Sequence, residues 1–262
     1  MWNLFGNKPL LSDDDRQFQI ECYRWLLTHF GGDDFYKEAK LVLPTAEFSP
    51  TQVKSQDAAA IETFMQVKKH AGLAEWPCQL QAQEEDPNLL VAPTVALKNV
   101  EENPLGTFSG NDNKEVIISY NPIIVLDPTQ MVATFAHELS HYLTSTAPEP
   151  PPGGWGNWEF ATDICATFLG CGIFSANATF NFSQYTGVDS PGWQVMGGGY
   201  LSEAEHAHAF AIFLRLKEIS PETAFKHCDT SIKSYLKIAL AELDKHSIID
   251  ELREVEYMPR GA

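Results

Sequence analysis

Positive charge is scarce in this sequence: 18 Lys and Arg stand against 35 Asp and Glu, a formal net charge of −17. A field of that sign repels nucleic acid and anionic lipid, so neither is expected as a partner. It tolerates or attracts basic substrates and keeps the chain in solution. Cysteine is sparse as well. Cys22, Cys78, Cys165, Cys171 and Cys228 are odd in number and lack the regular spacing of a disulfide framework. No run approaches the ~18 apolar residues needed to cross a bilayer. The first residues, Met1-Trp-Asn-Leu-Phe-Gly-Asn-Lys-Pro, lack the charged and apolar regions of a secretion signal. These absences predict a cytoplasmic protein with reduced thiols. In that setting Asn177-Ala-Thr and Asn181-Phe-Ser are not glycan acceptors. Internal repeats and low-complexity tracts are lacking too.

What is present suffices for a proper core. Hydrophobic residues make up 44% of 262 and charged residues 20%, enough for one large domain or two small ones. Residues 1–105 read as a mixed α/β portion. Ser12 can cap a helix running through Trp25 to Phe30, where Gly31-Gly32 ends it. Lys40-Leu-Val-Leu-Pro-Thr reads as a short strand or extended segment. A second helix is expected from Asp57 to His70, with Ile61, Phe64, Met65 and Lys68 at helical spacing and Gly72 closing it. Extended runs follow around Cys78–Gln83 and Val91–Leu97.

Residues 106–262 read as mostly helical. Glu115-Val-Ile-Ile-Ser-Tyr120 is β-branched and aromatic, hence a strand. Asp127-Pro128 pairs an N-cap with proline at the first helical position, so a helix is expected from Pro128 to about Thr144. The prolines and glycines of Ala147–Gly154 force a loop. Asn157 can cap the next helix, through Ala161 to about Phe168. Ser202 and Glu205 have capping-box spacing for a third, ending near Lys217, and Ser220-Pro221 opens a helical C-terminal segment. The expected architecture is α+β: a small sheet, then a helical half that packs with it or stands beside it.

Within that helical half, His137-Glu138-Leu139-Ser140-His141 matches the H-E-x-x-H pattern. Four residues rise about 6 Å and turn about 40° past one revolution, so both imidazoles leave one helix face. They can share a tetrahedral ion about 2 Å from each nitrogen. Glu138 lies at the edge of that face, and Val132, Phe135, Ala136, Leu139 and Leu143 form the opposite, anchoring face. The same five residues also fit a helix with two surface histidines and a solvated glutamate. A third ligand weighs against that. Glu159 falls eighteen residues beyond His141, enough for a loop and a returning helix. A catalytic zinc wants three protein ligands and an open fourth position. Asp163, one turn after Glu159, can accept a hydrogen bond from the second nitrogen of a ligating histidine. The extended motif with glycine and a third histidine is excluded, because positions 144 and 147 are Thr144 and Ala147.

The H-E-x-x-H helix followed by an E-x-x-x-D helix resembles the active-site core of gluzincin metallopeptidases. The longer strings Val132–Leu143 and Thr162–Asn177, with Leu41-Val-Leu-Pro-Thr-Ala-Glu-Phe and Gly199-Tyr-Leu-Ser-Glu, resemble a family of uncharacterised bacterial proteins from about residue 40 to 215. The resemblance implies a zinc metallopeptidase acting on a peptide or protein substrate, with Glu138 as general base. In gluzincin-like folds a strand such as Glu115–Tyr120 lies beside the cleft and pairs with extended substrate. Tyr200, His206 and His208 are the candidate donors to the oxyanion, with Tyr200 foremost. Hydrolysis of another amide or an ester is the nearest alternative. A zinc-containing binding or regulatory protein with a closed, non-catalytic site is the rival from another class.

Overall fold

The computed structural model describes residues 9–45, 55–83, 105–110, 116–186 and 200–258. Hydroxyl and carboxylate caps decide where its long helices start. The Ser12 hydroxyl accepts the Asp15 amide at the head of α1 (Asp13–Phe30), and Ser55 accepts that of Ala58 at the head of α2 (Gln56–His70). Asp127 accepts from Thr129 and Gln130 to open α3 (Pro128–Thr144), the helix of the histidine motif. After it come α4 (Trp158–Ala166), α5 (Gly172–Thr186) and α6 (Glu203–Leu216), the last with both bonds of the Ser202–Glu205 capping box. Short α7 (Pro221–Phe225), α8 (Thr230–Leu243) and α9 (Ile248–Arg253) finish the chain. The fold is thus α+β and mostly helical.

Among the described residues three strands form the small sheet: β1 (Gln79–Ala82), β2 (Gly106–Gly110) and β3 (Val116–Tyr120). Their order is β1-β3-β2. β3 is central, parallel to β1 through Gln79↔Ile117 and antiparallel to β2 through Gly106↔Tyr120. The expectation that β3 is the strand open to a substrate is therefore corrected. Both its edges are already paired, and β2 is the edge strand that packs on α3.

Other departures have local causes. On α2, Ile61 and Met65 are 56% and 53% exposed, while Ala60, Phe64, Val67 and Lys68 turn inward. Phe64 and Lys68 of the expected stripe are buried, while Ala60 and Val67 take the places of Ile61 and Met65. Residues 40–43 join no strand among the described residues; Val42 N–H bonds the Gly170 carbonyl instead (3.0 Å). Asn157 does not cap α4; its Nδ2 donates to the Pro152 carbonyl (3.3 Å). The helix expected to stop near Phe168 does break there: α4 gives way to a wide turn, Thr167–Cys171, and α5 follows at once. Gly170 makes that turn, at φ 96°, where a Cβ would run into the Lys40 carbonyl oxygen. The joined stretch Trp155–Thr179 is long and apolar enough to cross a membrane, contrary to the sequence expectation. Its most apolar part is 89% buried within the protein, so it serves as a core helix. The extended run expected at 91–97 lies outside the described residues.

One hydrophobic cluster draws on both halves of the chain. Phe135 of α3 meets Phe64 of α2 (5.4 Å) and Tyr120 of β3 (5.7 Å) edge-on, and Phe35 stacks on Phe168 (4.2 Å). Val132, Phe135, Ala136, Leu139 and Leu143, the anchoring face, are all buried. Each large side chain so buried contributes about 1.5–3 kcal/mol. That anchoring fixes the opposite face of α3, and with it the histidines.

Candidate metal centre

His137 and His141 leave α3 one turn apart, and Glu159 comes back to them from the first turn of α4. His137 Nε2 and His141 Nε2 are 3.1 Å apart, and Glu159 Oε2 lies 3.3 and 3.1 Å from them. Among the described residues this is the group of His, Cys, Asp and Glu able to hold a metal ion. Asp163, one turn along α4, meets His137 Nδ1 at 2.9 Å. The sequence reading brings these four residues together as the structure does.

The outer bonds decide which nitrogens carry lone pairs. Asp163 Oδ1, an acceptor, takes the His137 Nδ1–H. Thr162 donates its hydroxyl to the Trp158 carbonyl (2.8 Å), so its oxygen is left to accept His141 Nδ1–H (3.3 Å). Both Nε2 atoms then present lone pairs, and both aim at a carboxylate oxygen. Three acceptors within 3.1–3.3 Å repel one another unless a cation sits among them. Ligands about 2.0–2.1 Å from a tetrahedral ion stand about 3.3–3.4 Å apart, so the triangle fits zinc with little adjustment.

Without a metal, a proton takes that role. Burial opposes charge on His137, but its bonds to Asp163 and Glu159 outweigh this and hold its pKa well above the usual value. His141, where burial prevails over its bond to Glu159, is held below the usual value. Glu159 is half-exposed, its side chain 46% accessible. Burial, the largest single influence, raises its pKa, yet the bonds and charges of the two imidazoles together hold it far below the carboxylate range. The outer acceptors are themselves tied down: Asp163 Oδ2 accepts the Leu201 amide (2.9 Å).

Glu138 is buried beside the triad. Burial pushes its carboxyl up to about 7, against the opposing pull of His137. β2 backs it closely. A Cβ at Gly106 would stand 2.8 Å from Glu138 Oε1 and 2.8 Å from Thr134 Cγ2. Only a bare backbone fits there, and the carboxylate has no room to swing toward the sheet.

The three oxyanion candidates separate. The Tyr200 ring lies 5.4 Å from that of His137, beside the centre. His206 is buried behind Asp163, its Nε2 3.7 Å from Oδ2. His208 is bonded through Nδ1 to Gln19 of α1 (2.8 Å) and is 1% exposed, so it turns away. The glycines preceding Tyr200, at 197–199, lie outside the described residues. Sequence reasoning missed Thr162, Gly106 and Trp158. Trp158 sets its ring edge-on to His141 (4.8 Å) while its Nε1–H donates to Thr144 (2.8 Å). A signal existed for Thr162: it lies three residues after Glu159, on the face that carries Asp163 four residues on. Comparisons of the chain with protein-family models, with curated proteins and with solved structures return no match.

Proposed function

We propose that this chain is a zinc-dependent hydrolase, a gluzincin-like metallopeptidase that cleaves peptide bonds. The observation that carries the reading is the convergence of three lone pairs from His137, His141 and Glu159 at 3.1–3.3 Å, with Glu138 buried alongside. When bound there, zinc supplies Lewis acidity and lowers the pKa of a water to about 7. Glu138 accepts the proton of the attacking water and passes it to the leaving amine. Asp163 and Thr162 hold the two ligating rings in the tautomers that face the ion. Tyr200 donates its phenolic O–H to the developing oxyanion. The outer edge of β2 pairs with an extended substrate backbone, which sets a carbonyl against the centre. The substrate is a peptide or protein. The net charge of −17 argues against nucleic acid and anionic membrane as partners. A cytoplasmic setting agrees with five free cysteines, of which Cys165 and Cys171 are pushed by burial up to about 12 and kept unreactive.

The test compares wild type with Glu138→Gln, both zinc-loaded, on a mixed peptide library. The reading expects equal zinc content and a loss of cleavage of about 10²–10⁴-fold in the variant. Equal zinc with no cleavage by either protein would replace this reading with that of a zinc-containing binding or regulatory protein.

A further inference from the structure

Rings contributed by five segments form a continuous strip past the His141 side of the centre. Trp155 meets Trp158 edge-on (5.4 Å, 81°), and Trp158 meets His141 (4.8 Å). His141 lies parallel to Phe108 of β2 (6.3 Å), Phe108 to Tyr142 (5.8 Å), and Tyr142 meets Trp76 edge-on (4.9 Å). Most of these rings have structural work. Trp158 is bonded to Thr144 (2.8 Å), and Tyr142 O–H donates to the Pro77 carbonyl (3.0 Å). Trp155 is the exception, for it is 53% exposed and holds no place in the core.

Its backbone is nonetheless tied down. The turn that carries it is pinned by Gly154 N–H to the Pro151 carbonyl (2.8 Å) and Asn157 N–H to the Gly154 carbonyl (3.0 Å). A large ring held on a hydrogen-bonded turn, with about half of its surface still in water, has apolar area left to gain from a bound apolar group. The two indoles at 81° make a corner. A third ring can lie flat on one wall and edge-on to the other, the arrangement aromatic side chains prefer at 4.5–7 Å. The corner reaches the centre through Trp158, whose ring meets His141 and which directly precedes Glu159, the one ligand of the three that is open to solvent. Phe108, at the far side of His141, belongs to β2, along which an extended substrate would run.

We infer that Trp155 and Trp158 form the specificity subsite of the centre, and that it selects peptides with an aromatic side chain next to the scissile bond. This rests on the metallopeptidase reading of the same site. The corner has two apolar walls, and Glu159 beside it is already engaged by both histidines. A phenyl or indole ring therefore suits it better than a short or charged side chain.

The experiment uses the zinc-loaded full chain and blocked octapeptides that carry Phe, Leu, Ala or Lys at one varied position. Cleavage is measured for wild type, Trp155→Ala and Trp155→Phe. Binding of the Phe and Ala peptides is measured by calorimetry on Glu138→Gln and on Glu138→Gln with Trp155→Ala. Trp155 is chosen because Trp158 touches a metal ligand. The kcat/KM ratio of the Phe over the Ala peptide is expected to fall about tenfold in Trp155→Ala and to recover in Trp155→Phe. A ratio unchanged by Trp155→Ala, or a Trp155-dependent preference for Lys, would overturn the subsite while leaving hydrolysis standing. Should no peptide be cleaved, tighter binding of the Phe peptide that vanishes with Trp155→Ala would uphold the subsite and remove the hydrolase. Binding of both peptides alike would overturn the subsite as well.

Discussion

Two pairs of buried histidines sit in this core, one on α3 and one on α6, and they behave in opposite ways. His137 and His141 are four residues apart, His206 and His208 two. All four are at least nine-tenths buried. Four residues leave two side chains about 40° apart around a helix, whereas two residues leave them about 200° apart. The α3 pair therefore shares one target, while the α6 pair divides: His206 toward Asp163, His208 toward Gln19 of α1. Burial alone does not bring ligand atoms together. What distinguishes the α3 pair is that Asp163 and Thr162 occupy both Nδ1 atoms and leave two Nε2 lone pairs facing a third acceptor. His208 also has an Nε2 with no bonding partner, but among the described residues no second ligand accompanies it.

The sharpest way to break this contrast is to remove one histidine from each pair. Outer partners of a metal site are worth about 10–100-fold in affinity. His141→Ala is expected to cost more than that in zinc competition assays, and His208→Ala to cost nothing. Asp163→Asn should fall between them, within that ~10–100-fold range, because it disturbs the tautomer of His137 without removing a ligand. Equal zinc affinity in the His141 and His208 variants would remove the distinction.

A separate test of the α6 pair concerns pH. Burial, helped by Arg16, lowers the His208 pKa to about 4 from an ordinary 6.5. The folded state therefore resists a proton that the unfolded chain accepts. This contribution is complete above pH 6.5 and is lost as the pH falls toward 4, by roughly 3 kcal/mol. In metal-free protein, urea unfolding across that window should show a shallower acid limb for His208→Gln than for wild type. Parallel limbs would mean that His208 is not held neutral by the fold.

Much of the centre was legible because its signals are local. Asp127-Pro128 marks the start of α3, the four-residue spacing sets both imidazoles on one face, and Glu159 with Asp163 repeats that spacing on α4. The Ser202–Glu205 box likewise marks α6 to the residue. What escaped was set by partners distant in sequence. The inward face of α2 depends on where α3 lies, so Ile61 and Met65 kept their helical spacing but lost the core to Ala60 and Val67. The sharp turn at Gly170, which leads directly into α5, depends on the Lys40 and Val42 backbone packed against it. The edge strand was misidentified because hydrophobic pattern favours the buried strand. Val116–Tyr120 is the better β sequence for the reason that it is central, while Gly106-Thr-Phe-Ser-Gly, which touches Glu138 and His141, carries little β signal.

The central claim is that His137, His141 and Glu159 together hold one zinc ion. X-ray absorption at the zinc edge of the loaded protein tests it most directly. The account predicts a four-coordinate shell of nitrogen and oxygen at about 2.0–2.1 Å, with the outer scattering of two imidazoles that drops to one in His141→Ala. Sulfur at about 2.3 Å, or a spectrum that His141→Ala leaves unchanged, would contradict it.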